Sequence, residues 1–220
     1  MDVVVCDKIT KFYGAKKALD EVSLRVPKGS LYAIAGLNGS GKTTLINVIA
    51  RVLRPSSGAL KVEGKLAYSF QNPRLVADLN VRENLNFFSD LYEINDAGWK
   101  NKVLELTGAG EWLRYRIEDL SSGMRKRVEL AVALLPDPDI FALDEPTAGL
   151  DAESAEHILG LMRALRTSHG KTLIVSTHTL GELKNICDHL AILRDGRKIF
   201  DSPAGKIKNL EETYKKFLKT

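Results

Sequence analysis

LYAIAGLNGSGKTTL, residues 31–45, decides how the rest of the chain is read. LYAIA is a short unbroken apolar run, as expected of a strand buried on both faces. Behind it, Gly36-Leu37-Asn38-Gly39-Ser40-Gly41-Lys42-Thr43 fits the phosphate-loop pattern G-x-x-x-x-G-K-[ST]. After the glycines, Leu45, Val48, Ile49 and Val52 fall on one helical face, and Arg54-Pro55 is a stop signal. Strand, glycine-rich loop and helix, in that order, are the context the pattern requires. The glycines let successive backbone N–H groups turn inward around phosphate oxygens. Lys42 adds a point charge for the β- and γ-phosphates, and Thr43 offers a hydroxyl to Mg²⁺. The expected ligand is a nucleoside triphosphate, held by Gly36, Asn38, Gly39, Ser40, Gly41, Lys42, Thr43 and Thr44.

Further along, IFALD is a second buried strand with Asp144-Glu145 at its end. Ligands of open α/β sheets collect at the carboxyl ends of the strands, so these acids are expected to face the phosphate loop. Asp144 then holds Mg²⁺ through water, and Glu145 orients or deprotonates a water aimed at the γ-phosphate. A third stretch, LSSGMRKR (residues 120–127), reads as a helix start: serines precede an apolar stripe of Val128, Ala131, Val132 and Leu135. Free N–H groups at such a start suit an anion, which makes it a second candidate phosphate site.

Around these motifs the chain alternates strands and helices. DVVVCDKITKFYG and VSLRV read as strands, the second ended by Pro27-Lys28-Gly29, and VEGKLAYSF returns to strand character up to Gln71. From Asn80, a cap, the pattern turns helical with Val81, Leu85, Phe88 and Tyr92 on one face. No good strand falls between Asn72 and Asp119, so a helical subdomain is expected there. LIVST and LAILR are further strands, helices are expected around His157–Arg166 and Leu180–Asn185, and Asp195-Gly196 closes a hairpin into RKIF. The implied fold is α/β, a mostly parallel sheet with helices on both faces.

Bulk properties set limits. The chain has 220 residues, 44% hydrophobic and 27% charged, as in an ordinary globular protein. No apolar run approaches the roughly 18 residues of a membrane span, and VVVC, bracketed by Asp2 and Asp7, is not a signal peptide. The expectation is a cytoplasmic protein whose membrane role comes through a partner. A net charge of +4, mostly scattered, gives no footprint for nucleic acid. Cys6 and Cys187 form no metal or redox motif and read as buried, reduced thiols. In the Lys-rich tail, Ile207, Leu210, Tyr214 and Phe217 stand at helical spacing. The tail either packs on its own domain with a solvated basic face or lies on a membrane surface.

Taken together, from Tyr13 to Gly196, the motifs resemble those of an ATP-binding cassette (ABC) ATPase, in the family's order. LSSGM resembles the signature LSGGQ, Gln71 the Q-loop glutamine, Ala148-Gly149-Leu150-Asp151 the D-loop and His178 the switch histidine. Tyr13 sits where an aromatic stacks on adenine. The resemblance implies a P-loop NTPase fold with an N-terminal antiparallel β-subdomain. It also implies a single cassette over residues 1–220, whose helical subdomain covers about 72–124. It makes Gln71 a Mg²⁺ or water ligand, His178 a γ-phosphate contact, and Asp151 a group acting across a dimer interface. Ser121, Ser122 and Gly123 then hold the ATP of a second, head-to-tail subunit. Two departures stand out: Ser122 replaces a glycine and Met124 a glutamine, the methionine resembling cassettes of drug, polysaccharide or lipid exporters. The segment from Thr44 to Gln71 is short for the family, which implies a trimmed β-subdomain. The function implied is the ATPase subunit of a transporter, peripheral on the inner face of the cell membrane. It would contact a separate permease near Asn72–Phe88. The alternative is a soluble cassette ATPase of a non-transport complex such as iron–sulfur cluster assembly.

Overall fold

A computed structural model describes residues 1–69 and 75–219, so Gln71 and Asn72 lie outside the described residues. β1 (Asp2–Tyr13) and β2 (Lys16–Pro27) form an antiparallel pair, and β4 (Ser57–Val62) joins the other edge of β1. The main sheet has the order β5 (Leu66–Ser69), β6 (Ile140–Asp144), β7 (Thr172–Thr177), β3 (Leu31–Ala35), β8 (His189–Arg194), β9 (Arg197–Pro203). Its neighbours are parallel except β8 and β9, the hairpin turning at Asp195-Gly196.

Side chains on a strand alternate between faces, and here both faces are covered. Leu31, Ala33 and Ala35 enter one core, while Tyr32 and Ile34 enter the other beside Leu45, Ile46, Val48 and Ile49 of α1 (Lys42–Ile49). LYAIA lacks polar alternation for that reason. The first core is closed by α2 (Val81–Leu91), α3 (Ala97–Thr107), α4 (Ser122–Leu134) and α5 (Ala152–Thr167), which bury Leu85, Val103, Val128 and Ile158. Burial of each such side chain is worth about 1.5–3 kcal/mol. Asn80 caps α2 in a reciprocal box: its side chain accepts from the Glu83 amide at 2.9 Å, and Glu83 accepts from the Asn80 amide at 2.8 Å.

Three local expectations change. α1 stops at Ile49: Arg51 is left-handed (φ 59) and the amides of Val52 and Leu53 turn back onto the Asn47 carbonyl. Val52 is therefore 53% exposed instead of extending the buried stripe. VEGKLAYSF is not one strand, because Gly64 (φ +106) breaks it, and the piece before the break belongs to β4 in a different sheet. The helix expected over Leu180–Asn185 is a 3₁₀ turn, Leu180–Leu183.

Cys6 and Cys187 are buried and free, and burial pushes their thiols up to about 12 and about 11. Neither is a thiolate near neutral pH. The tail forms α6 (Leu210–Lys219) and turns Leu210, Tyr214 and Phe217 onto its own first core. No helix among the described residues is long and apolar enough to cross a membrane.

Candidate functional site

β3 delivers the glycine-rich loop and α1 receives it. Gly39 (φ 80) and Gly41 (φ 104) are left-handed, which favours glycine. At Gly36 a Cβ would lie 2.5 Å from the Leu193 carbonyl oxygen, and at Gly41 it would lie 2.8 Å from that of Ala18. The loop thus passes where only backbone fits. Lys42, the first residue of α1, folds back: its Nζ donates to the carbonyls of Gly36 (2.9 Å) and Leu37 (3.2 Å). Asn38, Gly39, Gly41, Lys42, Thr43 and Thr44 line a pocket of about 310 Å³ together with Glu145. Ser40 is buried beneath it, its hydroxyl without a protein partner.

The acids stand where the strand order puts them. β6 is separated from β3 only by β7, so Asp144 and Glu145 emerge beside the loop. Glu145 has φ 47, a backbone region that costs about 1–3 kcal/mol and persists only when held. Its amide is held by the Ser176 carbonyl (3.2 Å) and the Ser176 hydroxyl (2.9 Å). The same hydroxyl donates in a short bond to Asp144 Oδ1. The Glu145 carboxylate meets Lys42 Nζ at 3.3 Å through Oε1 and His178 Nδ1 at 3.0 Å through Oε2. Lys42, Glu145 and His178, far apart in sequence, form one constellation.

Asp144 is 1% exposed and its Oδ2 has no protein partner. A buried carboxylate oxygen left over after Ser176 has taken the other fits a cation or its water. Thr43, exposed in the pocket, supplies the matching hydroxyl. Among the described residues no three His, Cys, Asp or Glu side chains are grouped to hold a metal. A Mg²⁺ ion there would take its remaining ligands from phosphate and water.

Other expected residues stand apart from this pocket. Tyr13 ends β1, is 50% exposed, and carries Lys11 Nζ over its ring at 5.6 Å. Ser121 caps α4, accepting from the Met124 amide at 3.2 Å, and both Ser121 and Ser122 are exposed. Met124 packs against the first core. Asp151 caps α5: it accepts from the Ser154 amide at 2.8 Å, and these bonds hold its carboxyl below the usual range. Gln71 lies outside the described residues.

The sequence reading missed Ser176, which left only the polar end of LIVST as a signal.

A glycine loop between a buried strand and a helix, with a strand-end Asp-Glu pair beside it, defines a P-loop nucleotide-binding protein. The family model described as ABC transporter matches residues 19–148. The bacitracin transport ATP-binding protein BcrA of Bacillus licheniformis is 29% identical over 98% of this chain and 74% of its own length. Nod factor export ATP-binding protein I of Paraburkholderia xenovorans is 33% identical over 88% of this chain and 68% of its own. The solved dimer of the ATP-binding cassette MJ0796, in a post-hydrolysis state with ADP and Pi, is 27% identical with a TM-score of 0.80. It covers 91% of this chain and 98% of its own. The chain belongs to the ABC transporter family of ATP-binding proteins and is an ATPase.

Proposed function

We propose that this chain is the ATP-hydrolysing subunit of a membrane transporter, acting as a head-to-tail pair of cassettes with two ATP between them. The carrying observation is that the two expected phosphate-binding elements of one chain do not line one pocket. Loop, Lys42, Thr43 and Glu145 line the phosphate-loop pocket, while Ser121 and Ser122 stand exposed at the start of α4 and are not part of its lining. Phosphoryl transfer needs charge stabilisation from several sides, and the free amides of a second subunit's α4 can supply the missing one. The dimeric MJ0796 cassette supports the pairing.

Within one subunit Lys42 turns to the β- and γ-phosphates, Tyr13 stacks on the base, and Glu145 orients or deprotonates the attacking water. His178, already bonded to Glu145, reaches the γ-phosphate. Thr43, Asp144 through water, and Gln71 hold Mg²⁺, which neutralises phosphate charge when bound. Asp151, at the tip of its helix, faces the partner subunit.

The helical region of about 72–124, within one cassette of residues 1–220, is the proposed seat of a separate permease. On α2 and just after it, Phe87 (47% exposed), Leu91 (60%) and Tyr92 (44%) leave apolar surface there. Met124 and the Nod factor export relative favour an exporter. The subunit then sits on the cytoplasmic face of the membrane, held by its partner. Isolation at native expression tests this: co-purification from membranes with a hydrophobic subunit is expected. A wholly soluble complex, as with cluster-assembly proteins, would overturn it.

A further inference from the structure

β6 and β7 are neighbours in the sheet and Asp144 pairs with Ser176, so the segments leaving the two strands start side by side. One carries Glu145, Pro146 and Thr147; the other carries His178 and runs into the 3₁₀ turn Leu180–Leu183. The two segments are tied twice. His178 Nδ1 meets Glu145 Oε2 at 3.0 Å, and further out the Thr147 hydroxyl donates to Glu182 Oε2 at 2.5 Å. These two bonds, with the backbone between them, close a ring.

The members of the ring are not equally held. Glu145 is fixed through its amide by Ser176 and its side chain is 12% exposed, whereas that of His178 is 45% exposed. Little packing sets the imidazole, so its place depends on where the turn after it stands. In a 3₁₀ turn, residues three apart lie one above the other. Leu180 and Leu183 accordingly share the face buried in the first core, which leaves Glu182 to reach Thr147. The turn is backed by α6, where a Cβ on Gly181 would lie 2.8 Å from Glu211 Oε1. A hydroxyl donating to a carboxylate is a charge-assisted bond, stronger than one between neutral groups. Neither Thr147 nor Glu182 lines the phosphate-loop pocket, so nucleotide contact does not account for the pair.

We propose that Thr147 and Glu182 are positioning residues whose hydrogen bond holds the turn after β7 against the segment after Glu145, and so keeps the His178 ring on the Glu145 carboxylate and directed at the γ-phosphate. The proposal rests on the reading of His178 as the γ-phosphate contact. It gives the Thr147 hydroxyl a task that a side chain of the same shape without the oxygen cannot perform.

Thr147→Val in the full chain tests it, with Thr147→Ser as the variant that keeps the hydroxyl. The valine variant should lower kcat about three- to tenfold, the worth of one hydrogen bond, with KM for ATP within about twofold. The serine variant should keep kcat within about twofold of wild type. NMR of the imidazole rings without nucleotide gives a readout besides activity. The His178 signals, identified by their absence from His178→Ala, should move toward free-imidazole positions in Thr147→Val, while the other three histidines stay in place. A wild-type kcat in Thr147→Val, unmoved His178 signals or a serine variant as slow as the valine one overturns the proposal. So does a displacement of all four histidines, which marks a general disturbance. A wild-type rate in His178→Ala overturns instead the γ-phosphate role beneath it, and the His178 signals still report the tie.

Discussion

Gly123 and Ser154 face each other where α4 meets α5: a Cβ on Gly123 would lie 2.0 Å from the Ser154 hydroxyl oxygen and 2.6 Å from its Cβ. Ser154 is itself held by Asp151, which accepts from its amide at 2.8 Å and from its hydroxyl at 3.0 Å. The glycine of LSSGM is therefore required by its own chain, independently of any nucleotide approaching it.

Gly123→Ala should lower stability by about 1–3 kcal/mol, the cost of overpacking. For a chain of this size that is a Tm drop of about 2–4 °C per kcal/mol. Introduced into a Ser154→Gly background, where the clash is gone, the same change should cost little. Thermal unfolding of the four proteins measures this coupling. Equal losses in both backgrounds would disprove the contact.

Glu145→Gln should retain ATP binding and lose steady-state hydrolysis by about 10²–10⁴-fold, the range for a positioned acid–base group. An ATP-bound dimer should accumulate. Phosphate release and size-exclusion chromatography with ATP report the two effects, and an undiminished rate contradicts the assignment.

Ser176→Ala removes the donor to Asp144 and one of the two acceptors that hold the strained Glu145 amide. Groups that orient a metal ligand typically contribute about 10–100-fold in metal affinity or activity. The Mg²⁺ concentration giving half-maximal hydrolysis should rise by that order, while ATP binding without Mg²⁺ changes little. A Mg²⁺ titration of the two proteins decides.

Glu129 carries a pH signature. It lies 6% exposed on α4, its Oε1 accepting from Ser69 at 2.8 Å and its Oε2 3.1 Å from Lys126 Nζ. Burial holds its pKa above the ordinary 4.5, outweighing Lys126 and Ser69. A pKa raised by folding means that the native state binds the proton more tightly than the unfolded one. That contribution is complete below pH 4.5 and is lost as pH rises through the native value. Glu129→Gln cannot titrate, so the Tm of wild type relative to the variant should fall as pH is raised from 4.5. A difference independent of pH would refute this.

The phosphate loop and the Asp-Glu pair were legible in the sequence because their constraints are local. Gly36 and Gly41 admit no side chain, and an unbroken run such as LYAIA or IFALD is recognisable as a strand covered twice. LIVST and LAILR were likewise recognisable as strands, and both pair with the loop strand. Ser176 was not legible because its role depends on the register that sets Asp144 opposite it. Ser154 depends on how closely two helices meet, which spacing does not encode. β4 escaped because most of its side chains are exposed and leave no apolar alternation.

Lys42 sits 3.3 Å from Glu145, with the two side chains 4% and 12% exposed. One ammonium cannot neutralise a carboxylate and a triphosphate fully at the same time. A nucleotide that draws Lys42 to its phosphates would have to displace this contact, and its affinity would be lowered by the energy of leaving a buried carboxylate without that cation. On the reading of Glu145 proposed above, part of the grip on ATP would thereby go into freeing the group that acts on water.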